Sequence, residues 1–288
     1  MHWLFLALGS AFFSAFSDAL AKSLSRQTST RLLVWMRFFS ASLWLLLLWP
    51  LADPDRHVDQ VFWLLLVIVI PLEFAAAYSF NHALTLEDLS LAVPLAALTP
   101  LFLLVIPRIM LGEKLTMPGT LGVLCVVAGA YLLNASGMLQ DPLSPLRAIW
   151  QSRGARFAVL AAAIYAITST LGKMMIQHSS ATLMAAAYYP IVSLAITPFV
   201  LPNEPEAFSK IKNNTWKFLL LGASIALSAS FHFYAIAKAP VAYMIAVKRS
   251  SMIFAIFYGW RFYRERNLAS RFCAALIMLA GIFLIARG

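Results

Sequence analysis

Residues 111–115 read Leu-Gly-Glu-Lys-Leu, and 152 positions later residues 263–267 read Tyr-Arg-Glu-Arg-Asn. The register holds without a gap back to Ala83 and Ala235. It also runs forward, laying Ala128-Gly129-Ala130-Tyr131-Leu132-Leu133 on Ala280-Gly281-Ile282-Phe283-Leu284-Ile285. Near the start of each half, a shift of 151 sets Ser17-Asp18-Ala19-Leu20-Ala21-Lys22 against Thr168-Ser169-Thr170-Leu171-Gly172-Lys173. The chain is read as a duplication, with a first repeat over 1–136, a connecting loop over 137–154 and a second repeat over 155–288.

Outward from these motifs, each copy divides into five apolar segments. They fall near residues 3–22, 31–50, 61–83, 90–112 and 118–135, then near 155–177, 181–201, 216–238, 241–262 and 268–287. Of the 288 residues, 61% are hydrophobic and 12% charged, against about 45–50% and 25% in a soluble domain. Such a chain is an integral membrane protein. The segments lack the alternation of barrel strands, and in lipid only helices or closed barrels satisfy the backbone. The expected fold is all-α, with ten transmembrane helices. Because five is odd, the second repeat enters the membrane opposite to the first, giving two inverted five-helix repeats, a plan used by secondary transporters.

Several chemistries lack their residues. The two cysteines, Cys125 and Cys273, lie inside apolar runs and give neither a disulfide framework nor a metal site. There is no phosphate-binding loop of the Walker type, no His-Glu-x-x-His and no Gly-x-Ser-x-Gly. The expectation is a protein that is not an enzyme, with no cofactor and no metal.

Ten short helices in two halves, each with a Glu-Lys/Arg turn between its fourth and fifth spans and an Ala-Gly pair in the fifth, resemble the drug/metabolite transporter superfamily, specifically proteins with two EamA-type domains. The resemblance covers nearly the whole chain. It implies a secondary transporter whose first four spans of each half surround a central cavity, with the fifth and tenth spans peripheral. It also implies residence in a bacterial inner membrane. Family membership of this kind names a mechanism without naming the substrate.

Charge in the loops bears on orientation. The odd-numbered loops hold thirteen Lys and Arg residues, among them Lys22, Arg26, Arg153, Lys210 and Arg264, against five on the other side. By the positive-inside rule this places the odd loops in the cytoplasm and both termini outside. The resemblance implies the reverse, and a terminal reporter fusion separates the two.

An ion at membrane depth costs several kcal/mol, so each must be paired, lie near an interface or line water. The candidates are Asp18 in the first span, Arg37 in the second, Glu73 with Asn81 and His82 in the third, Arg108 in the fourth, Lys173 in the sixth, His232 in the eighth and Lys248-Arg249 in the ninth. None lies inside the fifth or tenth. Lys248 and Arg249 are the sharpest pair, because they sit mid-span and, as helix neighbours, point about 100° apart. One can face a cavity while the other reaches a neighbouring helix. Arg suits bidentate contact with phosphate or carboxylate, and Lys supplies a point charge. A Lys-Arg pair here is similar to the phosphate-binding pair of plastidic triose-phosphate translocators. The bland alternative is an ion pair with Glu73 or Asp18.

Around this pair the substrate-binding candidates are Glu73, Tyr78, Asn81 and His82 in the third span, Tyr188 in the seventh, His232 in the eighth and Tyr243 in the ninth. Glu73 can balance Arg249 or accept a proton, and Asp18 with Arg37 can bridge the first two spans. Pro94, Pro100 and Pro107 mark the fourth span as a hinge. Glu113 and Glu265 have a structural reading as capping-region carboxylates, near Thr116 and Pro118 in one copy and Asn267 in the other.

The leading functional expectation is transport of a small organic anion. Its rivals are an amino acid or amine exporter, a translocator of a phospholipid or polyprenyl-phosphate headgroup, and a scaffold without transport. The partners are the substrate and the lipid bilayer, without nucleic acid, and pairing of two copies is left open.

Overall fold

The computed structural model describes residues 2–25, 27–51, 58–87, 89–134, 144–263 and 269–288. Among them every regular element is helical. The first half holds α1 (His2–Leu24), α2 (Thr30–Leu45) with a 3₁₀ turn at Leu46–Leu51, α3 (Gln60–Leu86), α4 (Leu89–Ala96), α5 (Thr99–Phe102), α6 (Ile106–Leu111) and α7 (Met117–Asn134). The second half holds α8 (Ser144–Gln151), α9 (Arg153–Gln177), α10 (Ala181–Val200), α11 (Ala207–Asn213), α12 (Thr215–Ile236), α13 (Val241–Lys248), α14 (Ser251–Tyr263) and α15 (Ala269–Arg287). Serine hydroxyls start three of them. Ser29, Ser152 and Ser180 accept from the backbone N–H three residues on, at 3.2, 3.2 and 3.0 Å.

Among the described residues eight stretches are long and apolar enough to cross a membrane, and α7 and α15 supply two shorter apolar helices where the fifth and tenth spans were expected. The expected fourth span is three helices in a row. Pro100 has no N–H for the carbonyl of Ala96, nor Pro107 for that of Leu103, and α4 and α5 end at or beside those carbonyls. In the expected ninth span, α13 gives way to α14 at Arg249-Ser250, where bonds between residues three apart replace the α pattern. The break at residues 97–98 and the break at 249–250 stand 152 residues apart, the repeat offset itself.

The halves pack through each other rather than side by side. α1 lies on α12 and α14, while α3 and α4 lie on α9, and α2 meets α10 and α12. With no hydrophobic force between helices in lipid, close packing and buried hydrogen bonds hold such contacts. Ser228 Oγ donates to the Ser10 carbonyl at 2.8 Å, joining α12 to α1, and Trp35 Nε1 donates to Thr197 Oγ1 at 2.8 Å, joining α2 to α10. α7 and α15 pair through glycines. A Cβ on Gly122 would stand 2.5 Å from the Gly281 carbonyl, and one on Gly281 would stand 2.6 Å from that of Gly122. Large apolar side chains such as Phe5, Leu64, Val67, Leu194 and Phe199 face outward, a surface suited to lipid.

Candidate functional site

Where the interleaved halves meet, they leave a cavity of about 210 Å³. Its polar lining comes from both repeats: Glu73 of α3, Thr168 of α9, Tyr188 and Tyr189 of α10, His232 of α12 and Lys248 of α13. Neither α7 nor α15 contributes.

Lys248 is the last residue of α13, and the turn that follows sends it and Arg249 to different neighbours. Lys248 Nζ lies 3.4 Å from His232 Nδ1. As an ammonium, Lys248 donates to that ring nitrogen. No carboxylate stands at ion-pair distance from Lys248 among the described residues. Elsewhere in the same cavity, Glu73 shares the lining with Thr168 and Tyr188. It too has no cationic partner at ion-pair distance among the described residues. The cavity thus offers an ammonium and a carboxylate that do not neutralise each other.

Arg249 turns the other way. Its Nη2 donates to the Ala96 carbonyl at 3.4 Å, the acceptor freed by Pro100, which also receives the Thr99 hydroxyl at 2.9 Å. Arg249 Nε has no hydrogen-bond partner among the described residues. Asp18 binds Arg37 at 2.8 Å, bridging the first two spans, so the alternative pairing of Asp18 with Lys248 or Arg249 is not formed.

Three expected lining residues lie elsewhere. On a helix of 100° per residue, Tyr78 stands about 140° and His82 about 180° around α3 from Glu73. Tyr78 is accordingly 66% exposed. It stacks on His82 with ring centres 5.6 Å apart, and His82 meets Phe157 of α9 edge-on at 4.7 Å. Tyr243 is buried away from the cavity, its hydroxyl accepting from the Thr116 N–H at 2.9 Å and lying 3.1 Å from Thr116 Oγ1. It fastens α13 to the start of α7. Asn81 lies within α3, but its side chain falls outside the described residues, as does all of Glu265.

One cluster went unread in the sequence. Thr116 caps the following helix as expected, accepting from Gly119 N at 3.2 Å, but Glu113, expected as a carboxylate beside that helix start, is engaged elsewhere. The Glu113 carboxylate reaches the other repeat instead, where it takes Lys173 Nζ at 2.5 Å and Val241 N–H at 2.9 Å. Lys173 also donates to the Ala239 carbonyl at 2.7 Å. Both side chains are nearly buried, so this is a shielded ion pair at the start of α13. The signal was present in the repeat register, which singled out Glu113 and Lys173 separately.

Against this geometry, the profile of the EamA-like transporter family matches residues 1–135 and again 152–287. The chain belongs to the EamA-like transporter family. As an EamA-like protein with these apolar helices it is a multi-pass membrane transporter of the drug/metabolite type. Among curated proteins none matches it in sequence. One crystal structure is similar over 96% of this chain and 94% of its own, with a TM-score of 0.68 and 16% identity, a likeness that shows the fold alone.

Proposed function

We propose that this EamA-like protein is a secondary transporter of a small organic anion, a metabolite bearing phosphate or carboxylate, moved by alternating access either in exchange or with proton coupling. One observation carries the reading. Lys248 presents its ammonium to the cavity with His232 beside it and no carboxylate paired to it among the described residues. A half-buried cation left without a counter-ion invites an anionic ligand. The cavity, at about 210 Å³, is below the roughly 300–1,000 Å³ of drug-sized sites, which suits a small metabolite.

The rest of the reading is ten spans in two inverted repeats, with the basic loops on the cytoplasmic side of a bacterial inner membrane and both termini outside. The interleaved packing supports the inversion, since α1 on α12 and α3 on α9 exchange under the repeat offset. Rocking of the halves would bend the chain at the paired breaks and open the Glu113–Lys173 contact.

Glu73 in the same cavity favours a second reading, export of an amino acid or amine, with the carboxylate holding the substrate ammonium. Counterflow in liposomes tests both, using labelled phosphate esters, dicarboxylates and amino acids. The anion reading expects exchange of a substrate without an amino group, lost in Lys248→Gln. If Lys248→Gln exchanges that anion at the wild-type rate, the reading fails. The amine reading expects only amino-bearing substrates, lost in Glu73→Gln.

A further inference from the structure

A second cavity, of about 360 Å³, lies at the junction of α6 and α7, lined by Leu104, Arg108, Lys114, Leu115 and Thr120. Its shape begins with Gly112, which ends α6 in the left-handed conformation (φ 66°, ψ 19°) that glycine adopts without steric cost. The turn places Arg108 and Lys114 on one pocket. Neither cation has an ion-pair or hydrogen-bond partner among the described residues. The adjacent carboxylate, Glu113, is held by Lys173 and the Val241 N–H. Two positive charges therefore share a cavity with nothing to balance them.

The surroundings say what kind of anion fits. The same helices turn large apolar side chains outward, with Val105, Ile109, Met117 and Leu121 exposed and Ile109 at 77%. α6 closes the fourth membrane-crossing stretch, Leu91–Leu111, so Arg108 and Lys114, both exposed, lie at the end of that stretch with the exposed apolar side chains of Val105, Ile109 and Met117 beside them. A soluble anion would use the cations alone. A phospholipid would use both surfaces at once.

We propose that this cavity binds the headgroup of an anionic phospholipid, with Arg108 forming a forked contact to the phosphodiester and Lys114 supplying a second charge. Basic pockets beside membrane helices select anionic lipids in this way, because the choline of a zwitterionic lipid cancels its phosphate. The site is separate from the substrate cavity and does not depend on what is transported.

Native mass spectrometry of the purified full chain tests it, with phosphatidylglycerol and phosphatidylcholine offered in equal amounts. The expected result is a retained phosphatidylglycerol adduct at about tenfold preference, lost in Arg108→Gln/Lys114→Gln and kept in Lys210→Gln/Lys212→Gln, whose cations are on α11. Thermal melting in detergent without lipid checks that both variants fold, and Arg108→Lys provides a milder variant expected to lose only part of the preference. The proposal is overturned if the Arg108/Lys114 variant retains phosphatidylglycerol as the wild type does. It is equally overturned if wild type shows no preference, or if glycerol phosphate competes as well as the lipid.

Discussion

Arg249 Nη2 donates to the carbonyl of Ala96, so the break in one repeat is held by the break in the other. At 3.4 Å the bond is long, but the acceptor is one that Pro100 has left without its helical donor. Arg249 thus serves the join between halves while its neighbour Lys248 faces the cavity. Losing a hydrogen bond to a charged group costs about 1.5–3 kcal/mol. Arg249→Ala is expected to lower the melting temperature clearly. Lys248→Ala should leave the melting temperature nearly unchanged and weaken substrate binding about 10- to 100-fold. Thermal melting and liposome transport, measured on both variants, check this split. Equal effects of the two substitutions on both readouts would contradict it.

Pro100→Ala restores an N–H opposite the Ala96 carbonyl in the first turn of α5 and lets an α-helical bond form across the break. The fourth span should become straighter and the protein more stable to heat, with slower transport if bending there is part of the cycle. A variant that is both stabilised and as fast as wild type would remove the hinge role.

Glu113→Gln keeps an acceptor for the Val241 N–H but loses the charge facing Lys173. Removing one partner of a buried pair costs about 3–5 kcal/mol because the other charge is stranded. Lys173→Met alone should be similarly damaging, and the double substitution less damaging than the sum of the two. A double-mutant cycle of unfolding free energies measures this; additivity would mean that the two side chains do not interact.

Gly122→Ala introduces a Cβ 2.5 Å from the Gly281 carbonyl. Forcing α7 and α15 apart should cost about 1–3 kcal/mol, as overpacking does. The ligand affinity of the remaining folded protein should be unchanged, because neither helix lines the cavity. Calorimetric titration alongside thermal melting checks both parts.

The helices were legible because apolar length and the repeat offset are properties of the linear chain. So was the divergence of Lys248 and Arg249, since neighbouring residues on a helix cannot face one way. Tyr78 and His82 were misplaced by counting turns along α3 where the angle around it decides, and that angle was available from residue numbers alone. Tyr243 and Glu113 were different. Their partners, Thr116 and Lys173, lie 127 and 60 residues away, and only the interleaving of the halves brings them into contact. The two breaks fall between these cases: the prolines announced the first, whereas the second carries neither Pro nor Gly and shows itself only by its register.

That shared register pairs unlike residues. At the corresponding positions one copy bears Ala96-Ala97 and the other Lys248-Arg249. One bend places a lysine in the cavity, and its twin offers the carbonyl that holds the neighbouring arginine. A protein built this way gives unequal tasks to its two halves, so under the proposed alternating access the two directions of movement need not be energetic mirror images.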